Sequence, residues 1–186
     1  VAARTHSADP RAARLRARLH DAALHLVARG PVEDLTVADL VKQAGVSRQA
    51  FYQHFGDRDE AIATAFTATF AAATADLTGD ARARILRLFD FAADHRSMYR
   101  NVAGSAVTRP VVAAFRAELL PACTEIAEEA APALGSVAAL TPDAVSHFLV
   151  GGFMEVLRSW MEDPAGDDLH RRVAAALDTV YVLLNL

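Results

Sequence analysis

Cysteine is nearly absent from this chain of 186 residues, Cys123 being the only one. A single thiol excludes an internal disulfide and a cysteine-rich zinc site, and it reads as a small apolar core residue. Lysine is as scarce, with Lys42 alone among 19 basic residues. There is no apolar run long enough to span a bilayer and no secretory apolar region, so the chain is expected to be cytoplasmic. Also missing are a phosphate-binding glycine loop, a GxSxG elbow and an HExxH helix. No catalytic residue, metal or cofactor is therefore expected. The paired acids Glu128-Glu129, Glu162-Asp163 and Asp167-Asp168 read as solvated helix ends rather than metal ligands. Strand-like alternation and internal repeats are absent as well, which leaves an all-α chain.

What is present is ample apolar material: 53% hydrophobic residues against 23% charged, enough for a sizeable core at this length. The net charge of −4 hides an asymmetry. Residues 1–55 carry eight Arg or Lys against five Asp or Glu, whereas residues 56–186 carry eleven against eighteen. A basic N-terminal module, 1–56, on an acidic helical body, 57–186, suits phosphate contact at one end only.

The stretch that organises the rest is TVADLVKQAGVSRQAFYQHF, residues 36–55. Thr36 can cap a helix whose Val37, Leu40 and Val41 share a face. Gly45 supplies the freedom for a tight turn. Ser47 can cap a second helix that turns Ala50, Phe51 and Phe55 inward. At about 100° per residue, Arg48, Gln49, Tyr52 and Gln53 then share the opposite arc. Arg and Gln on such an arc can read guanine and adenine edges, and Tyr can reach phosphate or a thymine methyl. The same spacing equally fits the solvated face of an ordinary helical hairpin, and periodicity leaves His54 off the arc.

Residues 35–62, LTVADLVKQAGVS, then FYQHF, then GDRDEAI, resemble the DNA-binding signature of TetR-type transcriptional regulators. The resemblance covers about a quarter of the chain. It implies a helix-turn-helix head in which Arg48 and Gln49 read bases beside Ala50 and Ser47. By the same resemblance Thr36, Tyr52, His54 and Arg58 contact phosphate. The family usually has Lys where this chain has Arg58. A helical body holding a small-molecule pocket, and a repressor released from DNA when that pocket fills, are implied too.

Around this motif the pattern predicts helices over 11–29, with Leu15, Leu19, Ala22 and Leu26 inward, and from Asp57 through a stripe of Ile62, Phe66, Phe70, Ala73 and Leu77. Arg4, Arg11 and Arg14 precede or open the first and could touch phosphate or the minor groove, a disordered arm being the alternative. Further helices are predicted over 81–95 and 96–103, and over 110–131 with a kink at Pro121 and a stop at Pro132. The last two run from Thr141-Pro142 to Glu162 and over 167–185. This final pair has apolar residues on more than one side. Gly152, Val156, Trp160, Val173, Leu177, Val180 and Leu184 are the candidates for a homodimer interface, the alternative being a monomer that buries both helices. Candidate ligand-lining residues are Phe89, Met98, Tyr99, Phe115, Cys123, His147, Phe148 and Met154, with Arg96 and Asn101 as further polar anchors. Their spacing fits ordinary core equally well. A mostly apolar lining favours a hydrophobic or amphipathic effector.

The expected function is a sequence-specific transcriptional regulator, a dimeric repressor on an inverted-repeat operator of double-stranded DNA. The alternatives are a helical small-molecule-binding protein or enzyme whose head no longer binds DNA, and a sequence-indifferent DNA-packaging protein.

Overall fold

Side-chain caps mark most of the helix starts. In a computed structural model that describes residues 10–134, 141–163 and 168–186, the chain forms α1 (Pro10–Val27), α2 (Val37–Ala44), α3 (Arg48–Tyr52), α4 (Arg58–Thr74), α5 (Ala81–Asp94), α6 (Arg96–Val102), α7 (Thr108–Leu134), α8 (Pro142–Glu162) and α9 (Leu169–Leu184). No strand occurs among the described residues. Thr36, Ser47, Asp80, Thr141 and Asp168 each accept a backbone N–H from the first turn of the helix they precede, satisfying donors the helix itself cannot. Asp57 does the same for Glu60 N at 2.8 Å, and the Glu60 carboxylate accepts from Gly56 N at 2.7 Å. Arg4 of the expected arm and Asp167 of the acidic pairs lie outside the described residues.

Two compact units result: the chain through Phe70 with Ser97–Val111, and Ala71–Arg96 with Val112–Leu186. In the first, α1 packs on α2 and α2 on α3. Their shared core holds Leu19, Ala23, Val27, Leu40, Phe51, Phe55, Ile62 and Phe66. A short 3-10 turn over Val32–Asp34, absent from the periodicity reading, buries Val32 between α1 and α2 in sequence. The stripe expected on α4 ends early: Ala73 is exposed and Leu77 follows the last helical turn.

The second unit is built on α5, whose Ile85, Leu88, Phe89 and Ala92 are buried as one face. Phe89 meets Phe115 edge-on at 5.2 Å and Phe153 at 6.1 Å. The stop expected at Pro132 does not occur, since α7 is continuous from Thr108 to Leu134 with both Pro132 and Pro121, the expected kink site, inside it. Both prolines are exposed, as are Ala117 and Glu128, the residues four positions back. The carbonyls that lose a helical partner thus belong to residues on the exposed side of α7, where the loss is cheapest.

The heptad of α9 is satisfied inside the protomer. Leu169, Val173 and Leu177 are buried as α9 packs on α5 and α8. Trp160 is buried too, under the Arg96 guanidinium, which lies 4.3 Å from the ring centroid. Val173, Leu177 and Trp160 therefore cannot be the surface presented to a partner, because their contacts are already made. Val156, Val180 and Leu184 are half-buried and Gly152 is exposed. The outward apolar side chains of these two helices are instead Phe148, Val182 and Leu183, each at least 75% exposed.

Candidate nucleic-acid interface

The first short helix of the motif is held by its own ends. Thr36 Oγ1 donates to Asp39 Oδ2 at 2.6 Å and accepts from Asp39 N, while Asp39 also accepts from Thr36 N at 2.9 Å. These bonds hold the Asp39 carboxyl below its ordinary range. At the other end Gly45 takes a left-handed conformation, φ 62°, which closes the helix and reverses the chain within one residue. Ser47 then caps α3 through Ala50 N at 3.1 Å.

α3 is only five residues long, and such a helix is not stable in isolation. Phe51 holds it: its ring is fully buried against Phe55 at 5.7 Å and Tyr52 at 5.2 Å. With Phe51 inward, Arg48, Gln49, Tyr52 and Gln53 are all exposed, Tyr52 by 57%. Ala50 and His54 are half-buried at the edges of that face, and Ser47 and Thr36 are exposed at the two helix starts. The outward side of α3 thus carries one guanidinium, two amides and a phenol, with no carboxylate among them.

Arg58 is placed differently. Its Nη1 donates to the Leu35 carbonyl at 2.7 Å and to that of Glu33 at 3.4 Å, and its Nε pairs with Asp59 at 2.7 Å. Arg18 of α1 donates from Nη2 to the Gly45 carbonyl at 3.0 Å. Neither contact is legible in the sequence, because 23 and 27 residues separate the partners and no local spacing encodes them.

His20 lies behind the motif, 6.0 Å from the Phe55 ring, with its Nε2 buried and lacking a hydrogen-bond partner. Burial lowers its pKa from 6.5, the nearby Asp21 opposes the shift and Arg16 adds to it. The unfolded chain therefore takes up a proton at a higher pH than the folded one. Stability falls as pH drops below about 6.5, until the folded form is protonated too. His20→Gln is expected to remove this part of the acid sensitivity. Thermal midpoints between neutral and mildly acid pH, in wild type and variant, measure it; parallel curves would show that His20 is not its source.

The candidate ligand residues are divided between the two units. Phe89, Phe115 and Cys123 are buried in the second unit with Met154 half-buried, whereas Met98 and Tyr99 belong to the first, where Tyr99 meets Phe66 at 6.1 Å. His147 and Phe148 are exposed on α8. The expected polar anchors are spent on helix ends. Arg96 donates to the carbonyls of Trp160 and Asp163, at 2.8 and 2.6 Å, closing α8. Asn101 donates to the carbonyl of Val27 at 2.7 Å, closing α1. Burial pushes the Cys123 thiol up to about 12, so it stays protonated at neutral pH and makes a poor nucleophile.

Residues 19–63, from α1 into α4, match the family model described as bacterial regulatory proteins, tetR family. No protein of curated function matches the chain significantly in sequence. Solved structures do match over nearly its whole length. A Streptomyces avermitilis protein described as a tetR transcriptional regulator shares 25% identity over 92% of this chain and 98% of its own, with a TM-score of 0.61. The regulator FadR of Bacillus subtilis, solved with stearoyl-CoA, shares 15% identity over 88% and 96%, with a TM-score of 0.63. A TetR regulator of Streptococcus agalactiae shares 17% over 91% and 95%, with a TM-score of 0.62.

Proposed function

We propose that this chain, whose residues 19–63 match the tetR-family model, is a DNA-binding transcriptional regulator that acts as a homodimeric, cytoplasmic repressor released by a small hydrophobic or amphipathic ligand. The observation that carries this reading is the acid-free outward face of α3, with Arg48, Gln49 and Tyr52 exposed over a buried Phe51. Arg48 and Gln49 read base edges, while Tyr52, His54 and Thr36 approach phosphates beside Ser47 and Ala50. Residues 1–56 are the DNA-reading part in this proposal, and 57–186 carry ligand response and dimerisation. Two recognition helices related by a two-fold axis read an inverted repeat, with half-sites about 34–36 Å apart or a multiple of that. The dimer forms through the outward faces of α8 and α9, where Phe148, Val182 and Leu183 stand exposed. The effector's apolar part sits against Phe89, Phe115 and Cys123 of the second unit. A hydrophobic tail like that of the stearoyl-CoA in the Bacillus subtilis FadR structure is the chemistry such a lining accepts.

Selection of bound duplexes from a random DNA pool at near-physiological salt tests the proposal. An enriched inverted repeat is expected; a steep salt dependence without any enriched sequence would point to non-specific packaging instead. On the selected duplex, Arg48→Ala is expected to cost about 1–3 kcal/mol and to relax preference at one base position. Equal losses on selected and random duplexes would reassign Arg48 to phosphate.

A further inference from the structure

α2 is held from outside at both of its ends by arginines of the helices that flank the motif in sequence. At its start, Arg58 from the first turn of α4 donates to the Leu35 carbonyl at 2.7 Å, one residue before the Thr36 cap. The Arg58 guanidinium is fixed in turn by Asp59 and has a second, longer contact to the Glu33 carbonyl. At the end of α2, Arg18 from α1 donates to the Gly45 carbonyl at 3.0 Å. That carbonyl belongs to the left-handed residue that closes α2, and a Cβ on Gly45 would come within 2.8 Å of Arg18 Nη2.

We propose that Arg18 and Arg58 are positioning residues that clamp α2 between α1 and α4 and so set the pose of α3 on DNA. The physical case rests on length. α2 has eight residues and α3 five, too few to hold a direction through their own hydrogen bonds. The turn at residues 45–47 passes any tilt of α2 directly to the Ser47 cap and to Arg48 and Gln49. Base reading requires bidentate geometry, so a small change of pose costs specific contacts while leaving diffuse phosphate attraction intact. Arg58 has its donors turned to backbone carbonyls and Asp59, with 26% of its side chain exposed. It therefore acts on the recognition helix through the backbone ahead of Thr36 rather than as a phosphate contact. This inference rests on the DNA-reading role assigned to α3, and its test separates the two.

The experiment uses the full chain and the variants Arg18→Ala, Arg58→Ala and Arg58→Lys. Amide hydrogen exchange without DNA is followed over peptides spanning residues 34–56. Affinity is measured over a range of salt on the duplex selected by the wild type and on a random duplex of equal length. Each alanine variant is expected to speed exchange over 34–56 while peptides of α5, α8 and α9 stay unchanged. Its preference for the selected duplex is expected to fall roughly tenfold with the salt slope unchanged. Arg58→Lys, which keeps the charge but loses the fork, is expected to fall between wild type and Arg58→Ala in both readouts. Unchanged exchange would overturn the clamp. So would full rescue by lysine, or a salt slope reduced by about one per variant with the preference intact, since a phosphate contact behaves that way. If the wild type itself prefers no sequence, the regulatory reading fails, and the exchange result still decides the clamp.

Discussion

Phe51→Ala is expected to unfold the first unit near room temperature or close to it. The ring is fully buried in the core of the first unit, against Phe55, and deleting it costs about 3–5 kcal/mol through lost burial and the cavity left behind. That is a large part of the roughly 5–15 kcal/mol that holds a typical domain. The loss falls on the element least able to bear it, since α3 has no other fully buried side chain. Hydrogen exchange resolves the effect: peptides from α1 to α4 are expected to lose protection, and DNA binding to disappear with them. Tyr52→Ala, one residue along and 57% exposed, serves as the contrast. It is expected to change stability by about 0.5 kcal/mol or less while weakening DNA binding. A stable Phe51→Ala protein would mean that α3 is anchored by something other than this ring.

Leu177→Glu and Leu183→Glu, six residues apart on α9, are expected to fail in different ways. Leu177 is fully buried, so a carboxylate there has neither water nor a partner, and such burials destabilise by about 4 kcal/mol or more. The variant is expected to lose its fold rather than merely its partner. Leu183 is 75% exposed in the protomer, so glutamate costs the isolated chain little. It is expected to yield folded monomers in sedimentation, with helical signal intact and much weaker operator binding. Phe148→Glu on α8 is expected to do the same. Persistent dimers in both outward variants would place the interface elsewhere. A folded but monomeric Leu177→Glu would restore the heptad of α9 as the seam between subunits.

The helices themselves were legible in the sequence because their signals are local. Thr36, Ser47, Thr141 with Pro142, and Gly45 act within three or four residues of where they stand, and each sits at the helix end it marks. The continuation of α7 past Pro132 was not legible, since proline's cost depends on which side of the helix it occupies. At Pro121 and Pro132 the affected turns lie on the exposed side, and α7 continues.

By itself, then, the sequence determined an all-helical chain, the helix-turn-helix at residues 36–55 and the outward set Arg48, Gln49, Tyr52 and Gln53. One-sided periodicity around a buried Phe51 leaves those side chains no other direction. Tertiary structure alone decided which face of α9 is already used. A heptad shows that an apolar stripe must be covered, but not whether a neighbouring helix or a second chain covers it. It also decided what the arginines do. Arg58, Arg18 and Arg96 are equivalent as charges in a sequence, yet all three donate to backbone carbonyls at helix ends, between 23 and 67 residues away. A long, flexible side chain with a planar fork finds its acceptor only once the fold has brought that carbonyl within reach.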